Sequence, residues 1–236
     1  DYKVTGVQTC ALPICLLGMG LPGMGTAHAA DADALQQTMI VLRYIDQDPG
    51  DPPYPTRILV TRDFMRMDSG EDDGDFVLLD RRQRLVINVM RESRLAMVFT
   101  SGMLPPKPAG WKPRLDVHKA VRGSRRFSLS VKGVVCSEGA AVQRAAPDAA
   151  RAMAELKSIL AATQYRVWKD SPPEMQRDCD LANHVWESGA TLALGLPLEE
   201  REFTGRTRQF ESETRPPLQP ELFSVPDGMA TINAPS

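Results

Sequence analysis

Short apolar runs broken by polar turns dominate the chain from residue 38 to residue 101. "TMIVLRYI" (38–45) is rich in β-branched and aromatic residues, as strands are. "DQDPGDPPYP" follows as a loop of turn formers. "TRILVT" and "DFMRMDS" read as two strands or one bent strand, and "GEDDGD" as the next turn. "DFVLLD" (75–80), "RLVINVM" (84–90) and "RLAMVFT" (94–100) complete a meander whose even spacing signals antiparallel sheet. Phe76 and Leu78 fall on one face of their strand, Val77 and Leu79 on the other. A sheet apolar on both faces must be covered on both.

"GMLPPKPAGWKP" (102–113) is too rich in Pro and Gly for helix or central strand. β-patterning resumes in "RLDVHKAV" and "RRFSLSVKGVVCSEGAAV", with "VKG" as a hairpin turn. The period changes at Ala145. Ala149, Met153, Leu156, Leu160 and Val167 recur at helical spacing, with Pro147 and Asp148 in the first turn. "SPPE" predicts a second helix, capped by Ser171 with Glu174 at the third position and running to about Trp186. "TLALGLPLEEREF" and "TRQFESETRPP" return to strand, and the mostly polar Phe210–Thr214 suits an exposed edge. Strands, a helical insertion at about 146–187 and further strands predict a single α+β domain with an antiparallel sheet. No internal repeat interrupts it.

The N-terminus changes how the cysteines are counted. Val4 to Ile14 back-translates in full to a common sequencing-library adapter, so residues 1–14 read as an artefact to set aside. "CLLGMGLPGMGTAHAADA" then resembles the end of a secretory signal peptide, residues 15–29, with an Ala27-His28-Ala29 cleavage site. The expected mature domain is 30–236, in the periplasm. Of four cysteines, Cys10 lies in the adapter and Cys15 in the leader. Cys136 and Cys179 remain, and an even count in an exported chain points to a disulfide. It would close a loop of about 40 residues and contribute roughly 4 kcal/mol.

The net charge of −2 gives no reason to expect nucleic acid or an anionic membrane surface as partner. "DRRQR" and "RGSRRF" lie at turns and read as solvated hairpin ends. No run is long enough to span a bilayer as a helix. Nucleotide, metalloprotease and hydrolase motifs are missing, so no catalytic residue, metal ligand or cofactor is expected. His184, four residues after Asp180, and His118, beside Asp116 and Lys119, read as surface contacts. "DSGEDDGD" (68–75) lacks EF-hand spacing and reads as a hairpin tip. Met39, Met65, Met67, Met90, Met97 and Met103 cluster in or beside the first sheet, suiting either ordinary core or a deformable apolar cavity.

"TRILVTRDFMRMDSG", "DFVLLDRRQRLVINVMRESRLAMVF" and the terminal "PPLQPELFSVPDGM" resemble the outer-membrane lipoprotein carriers LolA and LolB. The resemblance covers most of 38–100 and 206–229. It implies an incomplete, strongly curved β-barrel with a helical lid over an apolar concavity. It also implies non-enzymatic binding of a lipid, acyl chain or lipoprotein in the periplasm. Alternation along the strands nominates Met67, Phe76, Leu78, Ile87, Val89, Met97 and Phe99 as lining. The alternative is a periplasmic sensor or scaffold that uses the same fold to bind a periplasmic or outer-membrane protein.

Overall fold

The computed structural model describes residues 37–119 and 123–234, which belong to one compact unit. The adapter and leader readings, residues 1–29, lie outside the described residues. Twelve strands form one open sheet: β1 (Ile40–Gln47), β2 (Tyr54–Val60), β3 (Phe64–Asp68), β4 (Phe76–Asp80), β5 (Leu85–Met90), β6 (Leu95–Thr100), β7 (Pro113–Lys119), β8 (Ser124–Val131), β9 (Val134–Val142), β10 (Leu196–Glu202), β11 (Thr207–Thr214) and β12 (Ala230–Asn233). Their order is β12-β6-β5-β4-β3-β2-β1-β11-β10-β9-β8-β7, antiparallel except for the β12–β6 pair. "TRILVT" and "DFMRMDS" are therefore two strands. Val131 pairs with Val134 across Lys132-Gly133, both at positive φ, as a two-residue hairpin requires.

β11 is not an edge. It lies between β1 and β10, and its polar residues face partners: Arg208 pairs with Asp46 of β1 and with Glu200 of β10 in the ladder. Polarity here marks a charged interior patch.

The helical insertion is one long helix and several short turns. α1 (Pro147–Asp170) buries Ala149, Met153, Leu156 and Ile159, whereas Val167 is exposed. Its 24 residues span about 36 Å. β10 and β6 lie seven strand spacings apart, about 34 Å along the sheet, and α1 touches both. Ser171 ends α1 instead of starting a second helix; its hydroxyl donates to the Val167 carbonyl. Two prolines in succession leave only a 3₁₀ turn at Pro173–Met175. The chain then forms α2 (Asp178–Leu181) and a π turn at Ala182–Trp186.

Both faces of the meander are covered. The ladders Ile58–Met67–Val77–Asn88–Met97 and Val60–Met65–Leu79–Val86–Phe99 lie on the face toward α1. The ladders Leu59–Arg66–Leu78–Ile87–Val98 and Arg57–Asp68–Phe76–Val89–Ala96 lie on the other. That second face packs under a C-terminal strap through Leu218, Leu222, Phe223, Val225 and Met229.

Cys136 of β9 and Cys179 of α2 are joined in a disulfide across 43 residues. It sits among Leu129, Val131 and Ala182. Such bridges persist in oxidising environments, so this one indicates an exported chain. No helix among the described residues is long and apolar enough to cross a membrane.

Candidate functional site

A hollow of about 290 Å³ lies between α1 and the helix-facing side of the sheet. Its apolar wall comes from Ile58, Met65 and Met67 on β2 and β3, Met153, Leu156 and Leu160 on α1, and Leu192. Strand alternation puts Met65 and Met67 on one face. Helical spacing aligns Met153, Leu156 and Leu160 opposite them. Its polar side holds Lys157, Gln164, His184, Glu200, Glu202, Arg206 and Arg208. The wall is thus greasy and the mouth charged.

Asp46 anchors the mouth. Its carboxylate is almost fully buried and accepts both arms of Arg208, from Nε at 2.7 Å and from the terminal nitrogen at 2.6 Å. Thr56 donates to it at 2.9 Å and Arg206 at 3.4 Å. Burial alone would raise the Asp46 pKa, but the Arg208 fork, Thr56 and Arg206 outweigh it and hold the carboxyl below its ordinary range. Arg208 also lies 5.1 Å from the centre of the Tyr44 ring. Tyr44, fully buried, donates its hydroxyl to the Pro197 carbonyl, and burial pushes its pKa up. A second hollow of about 300 Å³ adjoins the first through Met67, Arg206 and Arg208.

His184 faces the 290 Å³ hollow from the π turn and is half-buried. Burial lowers its pKa, Lys157 and Arg206 lower it further, and Asp180 and Glu200 oppose them without prevailing. Its pairing with Asp180 is therefore the lesser part of its surroundings. His118 is exposed on β7, the last strand of the sheet.

The seven nominated lining residues fall on two faces. Met67, Met97 and Phe99 share the helix side. Phe76, Leu78, Ile87 and Val89 share the other, packed under or beside the strap. Alternation fixes which residues of a strand go together, and only cross-strand register says which sets of neighbouring strands meet. Phe99 borders a separate groove of about 690 Å³, bounded by residues 99–106, the C-terminal half of α1 and Ala234. Of the six methionines, Met65 is core on the helix side, Met67 lines the hollow and Met39 lies under the strap. Met103 is 98% exposed.

The "DSGEDDGD" segment is more than a hairpin tip. Asp68 is buried and accepts from Arg57 and Arg66, while Asp72 binds Arg57. Arg66 is 1% exposed and fully engaged: it reaches Asp68, the Leu222 carbonyl and the Glu71 and Asp72 carbonyls, 4.0 Å from the Phe76 ring centre.

Fold and site together define an α+β protein with an open, mostly antiparallel sheet and an amphipathic hollow under its long helix. No protein-family model and no curated protein matches this sequence. Solved structures of PNGF-II in C2 and P21 crystal forms are similar to 84% of this chain at 8% and 9% identity, with TM-scores of 0.34 and 0.35. The chain spans about a third of the length of that protein, 31% and 32%. A likeness at that level defines neither fold nor activity.

Proposed function

We propose that this is an exported, periplasmic protein that binds a hydrophobic ligand, a lipid, acyl chain or lipoprotein, without catalysis. The observation that carries the proposal is the hollow walled by Ile58, Met65, Met67, Met153, Leu156 and Leu160. Thioethers on both walls give a surface that adapts to a flexible chain. The resemblance of the strand and C-terminal motifs to lipoprotein carriers supports the same reading, with the sheet as half-barrel and α1 as lid. The disulfide supports export.

Native mass spectrometry of protein purified from a periplasm, with no delipidation step, tests it. The expected result is an acyl lipid bound to the folded chain. A clean ligand-free mass overturns the proposal. Leu160→Trp, which fills the hollow from a half-buried helix position, should reduce bound lipid at least about tenfold, the cost of roughly 1.4 kcal/mol in affinity.

A further inference from the structure

The charges around the 290 Å³ hollow select among hydrophobic ligands, an argument that rests on the binding role just proposed. Asp46 engages Arg206 and Arg208. One carboxylate between two guanidiniums leaves an excess positive charge there, and Lys157 on α1 and Glu200 and Glu202 on β10 complete the charges of the mouth. All three are half-buried and line the same hollow. None has a side-chain hydrogen bond or ion pair among the described residues. Both signs of charge border the one mouth, because Lys157 and Glu200 line the same hollow as His184.

A half-buried charge with no hydrogen bond has lost part of its hydration without a bonded group to replace it, and Glu200 has only the cross-strand field of Arg208 in compensation. A purely anionic head would satisfy Lys157 and meet two carboxylates. A purely cationic head would do the reverse. Size narrows the choice again. About 290 Å³ is the liquid volume of roughly ten waters, at the low end of small-molecule sites, which suits one acyl chain and not several.

We infer that the hollow takes a single-chain amphiphile with a zwitterionic head, its anionic group at Lys157, its ammonium toward Glu200 and Glu202, and its chain against Ile58, Met65, Met153 and Leu156.

Isothermal titration of the full, disulfide-bonded chain with four twelve-carbon amphiphiles below their micelle concentrations tests this. The probes are dodecylphosphocholine, dodecanoate, dodecyltrimethylammonium and dodecyl maltoside. The zwitterion should bind about tenfold tighter than each of the others, the scale of one charge-assisted hydrogen bond. Lys157→Gln should weaken the zwitterion about tenfold and leave the cation unchanged or improved. Glu200→Gln with Glu202→Gln should bring dodecanoate level with the zwitterion. Equal affinity for all four, or a singly charged probe binding tightest, overturns the inference and leaves the hydrophobic site standing. No binding of any probe overturns both. If a variant fails to fold by circular dichroism, the ranking of the four probes on the unaltered protein decides alone.

Discussion

Asp68 binds two arginines at once in a buried place, and Asp72 shares one of them. Burial would raise its pKa, but the hydrogen bond from Arg57, the Gly70 amide and Arg66 hold it below the ordinary carboxylate range. Removing one partner of a buried pair leaves an uncompensated charge. Asp68→Ala should therefore lose about 3–5 kcal/mol of stability, read as a lower urea midpoint at unchanged slope. The contribution of Asp68 is present above 3.8, its ordinary value, and is lost as pH falls through the lower value of the folded state. His184 acts in a different window. Its folded pKa lies below its ordinary 6.5, so the unfolded chain binds the proton first as pH drops. Stability should fall from about pH 6.5 downward until the folded ring also protonates. In the His184→Gln variant that slope should vanish between pH 7 and the acid limb set by Asp46 and Asp68. A variant retaining the full slope would place its origin elsewhere.

Elements differ in how openly the sequence declared them. The meander of β1 to β6 and the start of α1 were legible, since alternation, polar turns and Pro147 each act within a few residues. The second helical segment ends at Trp186 as expected but starts at Asp178 and not at Ser171, because Ser171 suits both a cap before a helix and a residue after one, and here it closes α1. β11 was misread as an edge because a strand's own polarity does not reveal that Asp46 lies opposite Arg208. Part of the site was legible: Met67 was nominated as lining and Met65 belongs to the methionine cluster, both on the wall of the hollow. Met153, Leu156 and Leu160 showed only helical spacing, and Ile58 and His184 gave no signal as site residues, since only tertiary packing unites them with the methionines. The Cys136–Cys179 bridge ties α2 to β9, and it is the element-scale test. Reducing it should cost up to roughly 4 kcal/mol. Hydrogen exchange should accelerate first in 178–186, because α2 and the π turn are only four and five residues long and the bridge is their covalent tie to β9, while β2 to β5 keep their protection. Uniform acceleration would show that the bridge holds the whole sheet and not one corner of it.

At the scale of the molecule, one sheet is sandwiched between α1 on one side and the C-terminal strap on the other. The third strand and the strap meet here: Arg66, within "DFMRMDS", donates to the carbonyl of Leu222, within "PELF", across 156 residues. Phe223, 6% exposed, packs with Phe64 at a ring separation of 6.1 Å. Phe223→Ala should cost about 3 kcal/mol and raise binding of a hydrophobic dye, as Leu59, Phe76 and Leu78 lose their cover. A variant with unchanged stability and dye binding would remove the strap from the account of the fold. The position of β1 also bears on how the chain comes together in time. β1 to β6 join by local hairpins, but the far side of β1 is completed only by β11, with Val41 opposite Thr214. A chain emerging from its amino end assembles that meander with β1 still a bare edge, ready to template pairing with other chains. Closing it needs contacts between residues far apart in sequence, which are slow to form. The interval before residue 214 arrives is thus the period of greatest aggregation hazard for this protein, and a holding chaperone would have most to offer then.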